Sequence, residues 1–328
     1  MIPAMRRVVC PAIGPLDQLV IEEADSPGPR DGQVLVDVRA AGVNFVDALF
    51  VLGRYQIKPP TPFTPGSEVA GVVSALGAGV DEASVAVGDR VLVQCGLGGY
   101  AEQITASALS LVPMPETLSF GQAAALVQSY ATMLFALTRR TTVTAGESVL
   151  VLGAGGGIGL AAIDVARALG LRAIAVASSP EKLDKALAAG AEAGIDAGDD
   201  VKTRARELAG GGVDLVVDPI GGPLAEAALR ALRVNGRYLV IGFASGEIPR
   251  LPANQVLLNN RTVVGVDWGA WTMQQPDAHR ALLGELMALV ADGRLRPVEP
   301  TTYPLDQASV ALTDLLERRI VGKVVLTP

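Results

Sequence analysis

Histidine and cysteine are almost missing from this 328-residue chain, which has one histidine, His279, and two cysteines, Cys10 and Cys95. Three such residues, far apart, cannot build a zinc site of four cysteines or of two cysteines and two histidines, and no spacing suggests one completed by carboxylates. One histidine without a partner makes no catalytic relay, so His279 reads as a residue at a helix start. Cys95 reads as a small buried hydrophobe. Long apolar runs are missing too. The mean hydropathy is +0.38, yet no run reaches the ~18–20 residues that span a bilayer. The apolar stretch Val149–Ile163 is broken by glycine and ends at Asp164. The start, Met1 to Arg7, lacks the apolar core and cleavage site of a signal peptide. These absences describe a cytoplasmic globular protein with no membrane association and no expected disulfide. Basic residues are outnumbered, 27 Lys and Arg against 34 Asp and Glu, for a net charge of −7. That argues against a nucleic-acid partner. With 50% hydrophobic and 19% charged residues, the chain is not disordered. Its length suits two domains.

The first third is β-rich. Arg6–Cys10, Leu19–Glu23, Gln33–Ala41, Ala70–Leu76 and Arg90–Gln94 are short apolar or alternating runs separated by turn formers. An Ala-rich helix is expected over Gly121–Thr138, with Ser119 as its N-cap. Strands and helices then alternate. Ser148–Leu152, Arg172–Ala177, Val213–Asp218, Gly236–Ile241 and Thr262–Asp267 read as strands. Gly157–Leu169, Pro180–Ala189, Val201–Leu208 and Pro223–Ala231 read as helices. Short connectors and Val/Ile/Leu-rich strands without polar alternation predict a doubly wound parallel sheet buried on both faces. Helices are expected over His279–Ala291 and Ser309–Arg318, and a closing strand over Val321–Leu326. Residues 268–328 are too few for a third domain and are expected to return to the first.

The strongest local signal is Val149-Leu150-Val151-Leu152-Gly153-Ala154-Gly155-Gly156-Gly157-Ile158-Gly159. A strand enters a glycine-rich turn that opens a helix. Glycines let the backbone approach a pyrophosphate, and the helix start offers free N–H groups and a positive dipole. NAD sites place an acid ~20 residues further on, at the ribose 2′-hydroxyl. Here the next strand ends Val176-Ala177-Ser178-Ser179-Pro180-Glu181-Lys182, with no acid at its tip. Ser178 offers a hydrogen bond to a 2′-phosphate and Lys182 offers charge, which favours NADPH. The other reading of Lys182 is a solvated helix face.

These motifs, in their order, resemble the quinone oxidoreductase (zeta-crystallin-like) family of the zinc-free medium-chain dehydrogenase/reductase superfamily. The markers run along the whole chain: Ala41-Gly42-Val43-Asn44-Phe45-Val46-Asp47, Pro65-Gly66-Ser67-Glu68-Val69-Ala70-Gly71, Val87-Gly88-Asp89-Arg90-Val91 and Gly98-Gly99-Tyr100-Ala101-Glu102. The glycine turn, Asp214-Leu215-Val216-Val217-Asp218-Pro219-Ile220-Gly221-Gly222 and Gly322-Lys323-Val324-Val325-Leu326 complete them. Gly246-Glu247-Ile248-Pro249 and Gly265-Val266-Asp267-Trp268-Gly269 are similar to bacterial NADPH:quinone oxidoreductases.

The resemblance implies an α/β protein with a GroES-like (chaperonin-10-like) catalytic domain over 1–122, a Rossmann domain over 123–267 and a return over 268–328. It implies a homodimer or tetramer pairing near Thr262–Val266. Zinc-dependent members carry Cys where this chain has Asn44 and His where it has Ser67, beside Glu68, so the resemblance implies a reaction without a metal. It places Thr132 by the nicotinamide and Gly153, Ala154, Gly156, Gly157 and Ile158 at the pyrophosphate. Ser178, Ser179, Lys182 and Arg318 fall near the 2′-phosphate, and Gly242, Phe243, Ala244 and Ser245 under the ribose. Asn44, Trp268 and Lys323 are further cofactor candidates. Ala197 stands where relatives often carry a Tyr beside the 2′-phosphate.

The implied reaction is hydride transfer from NADPH to a quinone or another conjugated carbonyl such as an enone. Without zinc, hydrogen-bond donors must stabilise the charge on the carbonyl oxygen. Tyr55 and Asn44 are the candidates, with Asp47 beside them. Tyr55 either donates at the reacting centre or lines the pocket, and Asn44 and Asp47 also suit a local turn. Two alternatives stay open. One is a 2-enoyl-CoA or alkenal reductase, with Arg54, Lys58, Arg139 and Arg140 as a basic track. The other is an NADPH-binding protein with little catalysis.

Overall fold

The computed structural model describes residues 4–328; Met1–Pro3, which open the segment read for a signal peptide, lie outside them. No helix among the described residues is long and apolar enough to cross a membrane. The chain divides into two compact units. One runs up to Gln128 and resumes over Val298–Pro328, and the other is Ser129–Pro297.

The first unit opens with β1 (Ala4–Val9), β2 (Val20–Asp25), β3 (Gln33–Val43), β4 (Glu68–Leu76), β5 (Arg90–Gln94), β6 (Gln103–Ser107) and β7 (Leu111–Pro113). The second carries β8 (Ser148–Leu152), β9 (Arg172–Ala177), β10 (Ala193–Asp196), β11 (Val213–Asp218), β12 (Leu232–Val240) and β13 (Thr262–Gly265). The chain returns to the first unit with β14 (Thr301–Pro304) and β15 (Val324–Thr327).

In the first unit β1 and β2 form a two-stranded ribbon. The main sheet runs β14-β15-β3-β4-β5-β7, with β6 also paired to β3. Valines of β3, β4 and β5, such as Val34, Val36, Val69, Val73, Val91 and Val93, are buried in one core. Branched side chains suit such a pleated, half-buried surface. The strand closing the chain, β15, pairs antiparallel with the end of β3, Val324 opposite Val43. On the other side of β3, β4 pairs Val69 with Ala41.

In the second unit the sheet order is β10-β9-β8-β11-β12-β13, and all its pairings are parallel. Renumbered from β8, this is the 3-2-1-4-5-6 order of a doubly wound Rossmann sheet. The central strands β8 and β11 are buried at every residue, as strands covered on both faces require.

Three expectations differ from what is seen. The helix expected over Gly121–Thr138 starts as predicted: Ser119 Oγ accepts from Gln122 N, and Gln122 Oε1 accepts from Ser119 N, both at 3.0 Å. It then breaks into Phe120–Ala124, a π-helical turn over Val127–Ala131, Thr132–Phe135 and a second π-helical turn to Arg140. Residues 268–297 pack with the second unit rather than returning to the first. Trp271 stacks on Phe135 at 4.6 Å, and Leu282 and Leu286 of the helix Pro276–Ala291 are fully buried. Short elements were also missed, among them β6, β7, β10, β14 and the helix Phe45–Val51. Each is seven residues or fewer, too short for periodicity to declare.

Arg261 shows how the sheet edge is secured. It is buried, and its guanidinium donates to the backbone carbonyls of Arg230, Leu232, Arg233 and Gln255. Two of these lie at the end of the helix Leu224–Ala231, where unpaired carbonyls and the helix dipole favour a cation. Replacing it, Arg261→Met, should cost about 2 kcal/mol, the scale of hydrogen bonds to a charged group. Urea denaturation measures this. A loss within about 0.5 kcal/mol, as for a surface substitution, would discard the capping role.

Candidate active site

Two groups of side chains stand out, one in each unit. In the second unit the carboxyl end of β8 enters the glycine turn. Gly153 adopts φ +61°, a left-handed conformation that favours glycine. Ala154 N donates to Val176 O at 2.9 Å, which ties the turn to β9. A Cβ on Gly159 would lie 2.3 Å from Gly153 O, so only glycine lets the helix Gly157–Ala168 start this close to the turn. A Cβ on Gly155 would lie 2.5 Å from Lys182 Cβ. A Cβ on Gly156 would meet only Gly153 O, at 3.5 Å, among the described residues, so that side of the turn has room. The helix has no side-chain cap. Its first N–H groups, at Gly157 and Ile158, therefore have no partner within the helix.

The turn meets the loop after β11 at the switch point of the sheet, the place where open α/β sheets bind ligands. The side chain of Ile220 would lie 2.5 Å from a Cβ on Gly153. Asp218 organises that loop. Its Oδ1 accepts from Ile220 N and Gly221 N at 2.8 Å, and its Oδ2 accepts from Tyr238 OH at 2.5 Å. Burial, and then the Asp218 charge, push the Tyr238 phenol well up, so it is a fixed donor. Ala244 N and Ser245 N donate to Pro219 O and Ile220 O, bringing Gly242–Ser245 to the same edge.

Ser178 is exposed at the tip of β9, and Ser179 Oγ caps the helix Pro180–Ala188 by accepting from Lys182 N. Lys182 Nζ lies 3.5 Å from Ser178 Oγ. Ala197 N donates to Ala177 O at 2.8 Å, so Ala197 flanks this tip. Thr132 and Trp268 are both buried in this unit. Trp268 meets His279 edge-on at 5.4 Å, and Trp268 Nε1 and His279 Nδ1 have no partner among the described residues. Burial lowers the His279 pKa.

In the first unit three strand ends converge. β3 ends at Val43, just before Asn44. The β4 register brings Glu68 to its side, and the β15 register brings Lys323 to the other. Lys323 Nζ donates to Asn44 Oδ1 at 2.5 Å and to Glu68 Oε1 at 3.2 Å. Asn44 Nδ2 donates to Glu68 Oε1 at 2.9 Å and to Ser67 Oγ at 3.3 Å. Gln128 N donates to Glu68 Oε2 at 2.8 Å. Gly42 makes room: a Cβ there would lie 2.2 Å from Ala124 O and 2.6 Å from Glu68 Cγ.

Asp47 sits beneath, with no exposed surface. Its Oδ2 accepts from Asn44 N at 2.8 Å and from Tyr100 OH at 3.1 Å, and its Oδ1 has no partner among the described residues. Burial pushes its carboxyl up to about 7, against those two hydrogen bonds. Asp47 thus holds the start of the helix Phe45–Val51. Burial, then the Asp47 charge, push the neighbouring Cys95 thiol up to about 12, which makes it inert.

Asn44, Asp47 and Lys323 thus come together. Tyr55 and Arg318 lie elsewhere in the first unit, Tyr55 edge-on to Phe50 at 4.9 Å and Arg318 exposed with φ +59°. The remaining cofactor candidates all lie in the second unit. Tyr100 and Gln128 joined the cluster without any sequence reading having given them a role. Tyr100 stood in a quoted motif, but its partner is 53 residues away.

Comparison with known proteins gives two family matches: the alcohol dehydrogenase GroES-like domain over residues 30–116 and the zinc-binding dehydrogenase over 157–284. The chain is 37% identical over 326 residues to a quinone oxidoreductase-like protein 2 homolog of Nematostella vectensis, covering 98% of this chain and 88% of that one. Two solved structures are similar throughout. The Thermus thermophilus quinone oxidoreductase, also described in complex with NADPH, has a TM-score of 0.85 and 35% identity, covering 98% of this chain and 100% of that one. The Escherichia coli quinone oxidoreductase complexed with NADPH has a TM-score of 0.88 and 28% identity, again covering 98% and 100%.

The Asp47 environment makes a pH prediction. Its folded pKa lies above the unfolded value of about 3.9, so the folded state binds the extra proton. This contribution is whole below about pH 4 and is lost as pH rises through about 7. From pH 5 to pH 8 the denaturant midpoint should therefore fall more in the wild type than in Asp47→Asn. Equal falls would mean that Asp47 is charged at both pH values.

Proposed function

Since the chain belongs to the quinone oxidoreductase family of the medium-chain dehydrogenase/reductases, we propose that it is an oxidoreductase that uses NADPH to reduce a quinone or another conjugated carbonyl. The observation carrying this reading is the glycine turn at the sheet's switch point, with an acid-free tip beside it that presents Ser178 and Lys182. The NADPH named for two similar structures points the same way.

Bound NADPH supplies the hydride. The backbone at Gly156 and the first N–H groups of the helix Gly157–Ala168 would hold the pyrophosphate. Ser178 Oγ and Lys182 Nζ would hold the 2′-phosphate. Gly242–Ser245 would face the ribose. Tyr55 is the candidate donor to the acceptor's carbonyl oxygen. Asp47 is fully buried on Asn44 N and Tyr100 OH and acts as a positioning residue.

A catalytic zinc does not suit these residues. Such sites are built from Cys, His and carboxylate ligands, whereas here Asn44 and Glu68 accept from the Lys323 ammonium and Ser67 accepts from Asn44. No group of three His, Cys, Asp or Glu that could hold a metal occurs among the described residues. The reaction is accordingly read without a metal.

The same reading makes the protein cytoplasmic and a homodimer. Strand β13 ends the sheet with an exposed Val263, and Leu257 and Leu258 just before it are about three-quarters exposed (75% and 74%). An unpaired apolar edge of this kind is a template for strand pairing.

NADPH oxidation by metal-free protein should be followed with an ortho-quinone, a simple enone and crotonyl-CoA, each repeated with NADH. Quinone turnover preferring NADPH is expected. Lys182→Ala should raise the KM for NADPH about tenfold, the worth of one charge-assisted hydrogen bond, and leave that for NADH unchanged. Dominant crotonyl-CoA turnover would move the protein to the enoyl reductases. NADPH binding without turnover on any acceptor would leave a binding protein. Sedimentation should give a dimer that Val263→Lys dissociates. A wild-type monomer, or a tetramer insensitive to this change, would reject the β13 pairing.

A further inference from the structure

A cavity of about 590 Å³ lies wholly within the first unit. Its walls come from Met5 and Arg7 of β1, the segment 62–64, the end of β5 with the turn after it, and β6. Backbone hydrogen bonds tie these walls together. Val8 N donates to Tyr100 O at 2.8 Å, Glu102 N to Arg6 O at 2.9 Å, and Gly98 N to Thr64 O at 2.8 Å. The cavity is therefore preformed, and its volume falls within the ~300–1,000 Å³ usual for small-molecule sites. None of its lining residues belongs to the glycine turn, the Ser178 tip or the Asn44–Lys323 cluster.

Among the described residues the lining has one charged side chain, Arg7. Its Nη2 donates to Glu22 Oε2 at 3.1 Å, and its Nε is buried with no partner among the described residues. The pair with Glu22 is exposed at both ends, 40% and 49%, and such pairs hold weakly. A guanidinium carries its N–H donors in a planar fork that matches a carboxylate, so Arg7 keeps most of its capacity. Thr64, Gln94 and Thr105 line the cavity too, and their side chains have no hydrogen-bond partner among the described residues. Gln103 is instead used at both ends: Oε1 accepts from Ser26 Oγ and Nε2 donates to Asp37 Oδ1. Met5, Phe63, Val93, Leu97 and Ile104 make much of the remaining wall apolar.

We propose that this cavity binds a small carboxylic acid with an apolar body, its carboxylate on the Arg7 fork and a further hydroxyl or carbonyl group at Thr64, Gln94 or Thr105. One cation with no carboxylate in the lining selects an anion. Apolar walls select against a bare inorganic anion, because they offer it no hydrogen bonds in place of its water. The site is separate from the reductase reading and does not depend on it.

The test uses the full-length protein carrying methyl-labelled methionine. Met5 lines the cavity and is buried, so its methyl NMR signal, assigned with Met5→Leu, reports occupancy at this place. The probes are octanoate, 3-phenylpropanoate and 3-(4-hydroxyphenyl)propanoate, each beside its neutral amide. At least one acid should shift the Met5 signal with a Kd of about 1 mM or tighter. Its amide should bind about tenfold more weakly, as the loss of a charge-assisted hydrogen bond does. Arg7→Gln should weaken the acid about tenfold and the amide by much less. Arg7→Lys, which keeps the charge but not the fork, should fall between. Thr105→Trp, which narrows the cavity, should weaken acid and amide alike. The two Arg7 variants change a half-buried side chain, so they test the proposal even if Thr105→Trp fails to fold.

A Met5 signal unmoved by all three acids would overturn the proposal. So would acids that shift Met5 with equal affinity in Arg7→Gln and wild type, which would mark apolar binding without a carboxylate site. Acids that bind by calorimetry while the Met5 signal stays fixed would lie elsewhere and overturn it too. NADPH oxidation is assayed on the same samples. Its failure would overturn the reductase reading and leave this site standing.

Discussion

A buried carboxylate balanced by one ammonium sets the terms of the first unit. Glu68 accepts hydrogen bonds from Lys323, Asn44 and Gln128 in an almost fully enclosed position. Burying two charges is repaid only when their remaining lone pairs and protons are satisfied. The strand ends of β3, β4 and β15 have to meet at this point for that to happen. Residues 279 positions apart along the chain, Asn44 and Lys323, are neighbours for this reason. Asp47 and Tyr100 extend the same network downward. A second carboxyl so close to Glu68, and so deeply buried, is displaced toward neutrality.

The second unit depends on close approach rather than on charge. The turn after β8 works because glycine stands where a Cβ would strike Gly153 O, Lys182 or Ile220. Removing those Cβ atoms leaves a backbone surface at Gly156 and the uncapped helix start beside it. Asp218 then stiffens the neighbouring loop by accepting two backbone N–H bonds and the Tyr238 hydroxyl. The turn and the wall beside it are thus built mostly from backbone.

Each unit was legible to a different degree. The parallel sheet could be read closely, because β8 and β11 are unbroken apolar runs with helices between them. The glycine turn was also visible, since its chemistry lies in consecutive residues, Val149 to Gly159. Less could be read where short elements or irregular helices occur. The π-helical turns on either side of Thr132–Phe135 leave no mark in an Ala-rich run. The packing of residues 268–297 includes a ring contact between Trp271 and Phe135, residues far apart along the chain. No local pattern carries such a contact.

By itself the sequence determined the family, the doubly wound sheet, the glycine-rich turn and the lack of Cys and His ligands for zinc. All of these are properties of residue type and local spacing. Only the tertiary structure decided how Asn44, Asp47 and Lys323 are arranged. Asn44 is both a turn residue and a hydrogen-bonding amide, and its sequence neighbours do not distinguish the two. Its orientation is imposed by an ammonium beside the last strand and a carboxylate from β4. The physical reason is that hydrogen-bond direction in a buried cluster is set by the whole group of donors and acceptors, and here the fold brings that group together from distant parts of the chain.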